Sequence, residues 1–302
     1  MSSPITLTSA TRSSLLSLQN TQSLQDTISE RLSTGKKVNS ALDNPVNFFT
    51  ASGLNSRSSQ LTDLLDGMSN GIQTIQAASK GIDGMKNLVQ QMQSTVKQAR
   101  QDTTYDATDA TTSKVRDNLK TQYLDLAKQI NTLAKDSGYN GVNLLNGEEL
   151  NVTFNEKTGT NKSDITVSLK NAAGDAAEAV TAGSLGITTA GAAGAADTLP
   201  ADAATFTSNE DLDKLSDLLT TALTSLSTKA SSLGSSLSVV QTRQDFTKQI
   251  VNVLKTGSDN LVNADMNEEA ANFTALQTRQ SIAQQTLSLA NQQQQGILQL
   301  LR

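Results

Sequence analysis

A seven-residue lattice of apolar side chains runs through the region after Pro45. Leu54, Leu61, Met68, Ile75, Ile82, Val89 and Val96 fall on it, and Leu64, Leu65, Ile72, Ala78, Met85, Met92 and Ala99 form a second seam three or four places on. A repeat sustained this long describes a helix whose apolar stripe faces a partner helix, because a strand would need alternation every second residue. At 1.5 Å per residue the lattice spans on the order of 65 Å. A rod of that length must lie alongside other rods.

Those other rods are in the sequence. From Lys114 to Ala134, Val115, Leu119, Tyr123, Leu126, Ile130 and Leu133 make one stripe, which stops at Gly138 and the Asn140-Gly141 pair, a cap-and-turn signal. Farther on, Leu212, Leu215, Leu219, Leu223, Leu226, Ala230, Leu233, Leu237 and Val240 form a third tract. A phase slip near Arg243 is expected to carry it on through Phe246, Ile250, Val253 and Leu254. The three prolines, Pro4, Pro45 and Pro200, stand only where a helix is expected to begin or stop.

Both ends carry looser stripes: Leu15, Leu18, Leu24, Ile28 and Leu32, ending at Thr34-Gly35, and Leu276, Ala283, Leu287, Ala290, Ile297 and Leu301. Gln22, Gln25, Gln280 and Gln294 interrupt them, so each terminal helix is expected to be only marginally stable alone and to need a partner surface. Between the helical halves, Leu150–Phe154 and Asp164–Leu169 alternate like strands around Gly159 and predict a hairpin. The Ala/Gly-rich stretch 172–204 has few large apolar residues and is expected to be irregular and exposed. The fold class that follows is mainly α: a long antiparallel, coiled-coil-like bundle of N- and C-terminal regions with a small β and irregular central insert, its termini returning to the same end.

Composition supports thin helical layers over one thick core, since only 3% of residues are aromatic and there is no Trp. The chain has neither Cys nor His, which removes thiol nucleophiles, disulfides, Cys/His zinc sites and every imidazole-based triad. A net charge of −5 leaves no basic excess for nucleic acid. No apolar run is long enough to span a membrane, and the N-terminus lacks the pattern of a cleaved secretory signal, so the chain is expected to stay inside or to leave without losing a leader.

No constellation for catalysis emerges. The acidic pairs Glu148-Glu149, Glu210-Asp211 and Glu268-Glu269 are adjacent residues that diverge on a helix, and they are expected to be solvated or to cap helix starts. Gly81 and Gly84 follow no strand and precede no Gly-Lys-Ser/Thr, so they form no phosphate loop. Lys36-Lys37 are expected to be helix-terminal charges. The sequons at Asn151, Asn161 and Asn272 are short patterns of little weight in so Ser/Thr/Asn-rich a chain. No cofactor and no metal is expected.

Several motifs occur in an order that resembles the bacterial flagellins. The segment Ile28–Arg57, ISERLSTGKKVNSALDNPVNFFTASGLNSR, is similar to their N-terminal signature, with Glu30, Arg31, Leu32, Gly35, Asn39 and Asp43 in its E-R-L-S-[ST]-G and N-S-A-x-D places. Asp265-Met266 through Leu300-Leu301-Arg302 resembles their ending, including Asn291, Gln292 and the final Arg302. Gly138–Leu145 looks like their F-N-G-x-x-L-L turn, with Tyr139 in the aromatic place. The compact centre is similar to the short flagellins of alphaproteobacteria.

That resemblance implies a structural subunit that self-polymerises into an extracellular flagellar filament, exported by a type III route without a cleaved signal peptide. It implies an inner layer of 1–44 paired with 263–302, an outer bundle of 45–147 and 208–262, and a surface insert of 148–207. Inner-layer packing would fall to Leu15, Leu18, Leu24, Ile28, Leu287, Ile297, Leu298, Leu300 and Leu301. The implied partners are further copies of the chain, an export chaperone, the filament cap and hook-associated proteins, with no nucleic acid or membrane among them. Some flagellins activate an innate Toll-like receptor through an Arg- and Leu-bearing helix face; Gln90 and Ser94 stand in the matching places here, which implies weak or no activation. A hook–filament junction protein and a cytoplasmic chemoreceptor-like signalling hairpin are the competing readings, the second disfavoured by the β insert where a hairpin tip would be.

Overall fold

The computed structural model describes residues 9–102, 114–170, 177–189, 198–200, 206 and 208–300, apart from the side chains at 10, 294 and 297–300. The described residues form five α-helices, α1 (Ser9–Thr34), α2 (Pro45–Gln101), α3 (Lys114–Asp136), α4 (Asn209–Val262) and α5 (Met266–Leu300), and a hairpin, β1 (Leu150–Thr153) with β2 (Asp164–Val167), whose loop holds a 3-10 turn at Gly159–Asn161. The chain divides into two compact units, Met1–Ser58 with Asn252–Arg302, and Ser59–Val251. The division falls inside α2 and α4, not at the turns between helices.

Helix ends follow local chemistry. Asn44 accepts the Asn47 amide on Oδ1 at 3.1 Å, and Pro45 takes the first helical position, where its missing N–H costs nothing. With 57 residues, α2 is about 85 Å long, because the helix starts well before the first lattice position and outlasts the last. Gly35, at φ +70°, ends α1 and returns its amide to the Arg31 carbonyl at 2.8 Å. Ser208 accepts the Asp211 amide on Oγ at 3.0 Å, with Glu210 and Asp211 in the first turn of α4, as their spacing predicts.

In the larger unit, Met68, Ile75, Ile82, Met85, Val89 and Met92 are completely buried, so both seams of the α2 lattice line a single core. Leu212, Leu215, Leu219, Leu226, Leu233 and Val240 of α4 join that core. On α3 the buried stripe is Arg116, Tyr123, Ala127, Ile130 and Ala134, whereas Val115, expected inside, is half exposed. Tyr123 and Ile130 of the expected stripe are fully buried and Leu119, Leu126 and Leu133 are half-buried against the same core, so the buried face is centred slightly to one side of the expected stripe and takes in Ala127 and Ala134. The α4 tract also departs from expectation after Arg243: Phe246 is exposed and Thr247 is buried. Beyond the slip, the large apolar residues no longer follow the buried face.

The hairpin forms as predicted, antiparallel with Leu150 opposite Val167 and Thr153 opposite Asp164. Asn155 closes its loop by donating Nδ2 to the Asn161 carbonyl at 2.8 Å and accepting the Ser163 amide at 2.8 Å. It rests on α2 at Gly71, where an added Cβ would lie 2.8 Å from Val152 Cγ2. The expectation of a bare, exposed Ala/Gly stretch fails for its described parts. Val180, Ala182 and Ile187 are completely buried and Leu185 and Leu199 nearly so, while the Tyr123 hydroxyl donates to the Ile187 carbonyl at 2.9 Å. A few well-spaced large residues suffice here, because α3 supplies the surface that they cover. The rest of the stretch, 172–176, 190–197 and 201–204, lies outside the described residues.

Candidate functional site

In the smaller unit, the residues of the two terminal motifs meet. The Arg31 guanidinium donates Nη1 to Glu269 Oε1 at 3.1 Å, and Gln280 Nε2 donates to Gln22 Oε1 at 2.7 Å. Residue numbers fall along α1 as they rise along α5, so the two helices pack antiparallel. The connections that follow α1 and precede α5 are tied together by backbone: Lys37 and Val38 both donate to the Val262 carbonyl, at 2.8 and 3.2 Å, and Ala264 donates to Gly35 at 3.0 Å. Val38, Ala51 and Val262 form a small apolar core beneath this joint.

Each motif residue has a local role. Asp43 Oδ2 accepts the amides of Asn39 at 2.9 Å and Ser40 at 2.8 Å, folding Asn39–Asp43 into a tight turn. Those amides hold the Asp43 carboxyl below the usual carboxylate range, so what it adds to the turn is complete above that range and is lost as pH falls below its own lowered pKa. Asp265 accepts the Asn267 and Glu268 amides at 2.9 and 3.3 Å and caps α5. An open groove of about 520 Å³ beside the joint is lined by Arg31, Lys37, Asp43, Asn47, Asp265 and Glu268, among others. Asp43 and Asp265 are engaged in the turn and the cap, Arg31 with Glu269 and Lys37 with the Asn260 carbonyl, and no group of acidic residues among those described could hold a metal ion.

The expected packing residues fall into three groups. Leu15 and Leu24 are 42% and 54% exposed, Leu18 and Leu287 are half-buried, as is the motif residue Leu32, and Ile28 is buried. Glu30, Asn291 and Gln292 face solvent. Ile297, Leu298 and Leu300 belong to α5, but their side chains, like Leu301 and Arg302 entirely, lie outside the described residues.

Two polar residues carry more than the sequence suggests. Glu269, expected to be solvated or capping, is 9% exposed and paired with Arg31. The signal was present as an acidic residue on the inward face of a terminal helix, opposite an Arg at the matching distance from the joint. Replacing Glu269 with Ala is expected to cost about 1–3 kcal/mol, below the range for fully buried pairs because Arg31 keeps partial solvent contact. Urea unfolding reads the size, and faster amide exchange along α1 reads the place.

Asn143 is the other. Tyr139 and Val142 exchange backbone hydrogen bonds at 2.9 and 3.0 Å around Asn140 (φ 49°) and Gly141 (φ 82°), two left-handed residues that define a type I′ turn. Beyond it, buried Asn143 donates Nδ2 to the Ala134 and Lys135 carbonyls, both at 2.8 Å, and accepts the Leu145 and Asn146 amides at 3.0 and 3.2 Å. It caps the end of α3 and delivers Leu144 and Leu145, both fully buried, to the core. Close approach to α2 needs Gly81, where a Cβ would collide with Ser137 and the Leu145 methyl. Gln90 and Ser94, on α2, are exposed.

Comparison with known proteins finds family matches at both ends of the chain. The profile of the bacterial flagellin N-terminal helical region covers residues 5–149, and that of the C-terminal helical region covers 216–301. Flagellin FljK of Caulobacter vibrioides is 28% identical over 289 residues, 95% of this chain and 94% of that one. The flagellin of Brucella melitensis is 28% identical over the full length of both chains. Flagellin A of Rhizobium meliloti is 41% identical over a shorter match of 92 residues, covering 30% of this chain and 23% of that one.

Proposed function

The chain belongs to the bacterial flagellin family and is a structural subunit of the extracellular flagellar filament, and we propose that it polymerises through the apolar faces that its smaller unit leaves uncovered. The observation that carries this reading is the distribution of those faces. Ten of the fourteen exposed large apolar side chains among the described residues belong to that unit, including Leu15, Leu16, Leu24, Ile282 and Leu289 on the α1–α5 pair. Apolar surface of this extent, on helices already paired along another side, is suited to burial against further copies. A surface that docks onto a different surface of the next copy, with a rotation that does not close, extends without limit.

On this reading the inner layer of the filament is 1–44 with 263–302, the outer layer is 45–147 with 208–262, and the insert 148–207 faces outward. Leu15, Leu18, Leu24, Leu287, Ile297, Leu298, Leu300 and Leu301 contribute to inner packing, with Ile28 supporting the α1–α5 pair from within. The subunit is structural and performs no catalysis. It leaves the cell without a cleaved leader, in keeping with a chain that has no cysteine to crosslink during threading. An export chaperone, the filament cap and hook-associated proteins are its other partners. The neutral side chains Gln90 and Ser94 on the exposed face of α2 support weak or no Toll-like receptor activation.

Deletion of residues 298–302 tests the assembly reading. The shortened chain is expected to keep the helical circular dichroism and thermal transition of the larger unit and to form no filaments on seeds. Filaments of ordinary length from the shortened chain would contradict it.

A further inference from the structure

Three Asn-Gly pairs occur in the chain, Asn70-Gly71, Asn140-Gly141 and Asn146-Gly147, and the fold treats them differently. Asn-Gly is the dipeptide most open to attack by a backbone nitrogen on the preceding side-chain amide, because glycine offers no steric shield. The attack requires a glycine N–H that is free of other work and a backbone that can rotate to bring it to the Asn Cγ.

Asn70-Gly71 lies inside α2, where the helix fixes both dihedrals and Gly71 is buried against Val152. Asn146-Gly147 is held on several sides: the Asn146 amide donates to the Asn143 carbonyl and Oδ1, the Gly147 amide donates to the Leu144 carbonyl at 3.4 Å, and an added Cβ at Gly147 would lie 2.9 Å from the Ala179 nitrogen. Asn140-Gly141 is at the tip of the type I′ turn, both residues exposed. The two hydrogen bonds of that turn run between Tyr139 and Val142 and leave the Gly141 amide out. An added Cβ at Gly141 would meet nothing within 4 Å, so the space around the tip is open.

We propose that Asn140 is the site of spontaneous backbone modification in this protein, through a succinimide to aspartate and isoaspartate. The Gly141 nitrogen, losing its proton to hydroxide, bonds to Asn140 Cγ. The Cγ–Nδ2 bond breaks and ammonia leaves, closing a five-membered imide. Water then opens the ring. Cleavage of the imide bond at Cγ gives aspartate, whereas cleavage at the main-chain carbonyl carbon gives isoaspartate, in which the backbone runs through the former side chain. No oxidant or reductant takes part.

The consequence is local and directional. Isoaspartate adds a methylene to a two-residue loop whose dihedrals fit only the tight turn, and either product adds a negative charge. The strain falls on Val142 and hence on Asn143, whose side chain caps α3 and places Leu144 and Leu145. A subunit that persists in a polymer without replacement accumulates this change with age.

The test incubates the intact chain at mildly alkaline pH, natively and in urea, and follows each Asn-Gly pair by tandem mass spectrometry. Isoaspartate is confirmed by enzymatic methylation. In urea the three sites are expected to convert at comparable rates. In the native chain Asn140 is expected to convert about tenfold or more faster than Asn70 and Asn146, the ratio that a local opening cost of only ~1.4 kcal/mol imposes on the other two. Asn140→Gly, which keeps a turn-compatible residue and removes the amide, is expected to abolish the mass increase in that segment. Native conversion at Asn70 or Asn146 as fast as at Asn140, or native protection of Asn140 equal to theirs, would overturn the proposal.

Discussion

Replacing Leu15 and Leu24 together with Glu is expected to stop filament growth while lowering the stability of the free chain by no more than about 1 kcal/mol. Both side chains stand on α1 and are 42% and 54% exposed, so the free chain has little to lose from them, and Glu is as good a helix former as Leu. In a polymer that buries this face, each subunit would carry two unpaired carboxylates into a dry interface, at a cost of several kcal/mol each. The same contact recurs at every subunit, so the penalty acts on each addition to the growing end. Urea unfolding of the monomer and sedimentation of seeded reactions separate the two effects. Pelletable filaments from the double variant at the ordinary yield would remove α1 from the interface.

Asn143→Ala is expected to destabilise the larger unit by about 2–4 kcal/mol, out of proportion to a single turn residue. One buried side chain makes four hydrogen bonds to main chain, and its loss strands the last carbonyls of α3 and the Leu145 amide, while the Asn146 amide keeps the Asn143 carbonyl. Asn143→Asp is expected to be at least as damaging. It removes both donations to Ala134 and Lys135 and places a negative charge at the C-terminal end of a helix. A loss below about 1 kcal/mol for Asn143→Ala, by urea unfolding, would mean that water replaces the side chain easily and that the turn is not a strong point of the fold.

The rods of this fold were legible because burial follows period. The α2 lattice from Leu61 to Val96 is buried nearly throughout, and the third tract is buried or half-buried from Leu212 to Val240. Reading failed where small or polar residues occupy the inward face. Ala127 and Ala134 take buried places on α3, and Thr247 takes a buried place on α4 while Phe246 is exposed, and a search for large apolar residues passes over all three. The Ala/Gly stretch misled for the opposite reason. Its composition is thin, yet Val180, Leu185, Ile187 and Leu199 fall where α3 and the hairpin leave a surface to cover.

The candidate site was legible in its members and not in its bonds. The motif residues Arg31, Gly35, Asn39 and Asp43 were marked by their pattern; Asn39 and Asp43 make a local turn, but Arg31 and Gly35 meet partners more than two hundred positions away, Glu269 and Ala264. A sequence shows that Glu268 and Glu269 diverge on a helix. The place of Glu269 seven residues before Leu276 puts it on the inward stripe, but the identity of its partner on α1 is set only by the pairing of the two helices. The Asn140-Gly141 turn was plain from composition, whereas the work of Asn143 three residues on requires the end of α3 to be in place first.

Electron microscopy of purified protein, depolymerised by heat and returned to assembly conditions with short filament seeds, tests the central claim most directly. Self-assembly through the uncovered faces of α1 and α5 predicts long, uniform filaments that extend from the seeds. Monomers that persist beside unextended seeds, or discrete dimers and trimers, would contradict it.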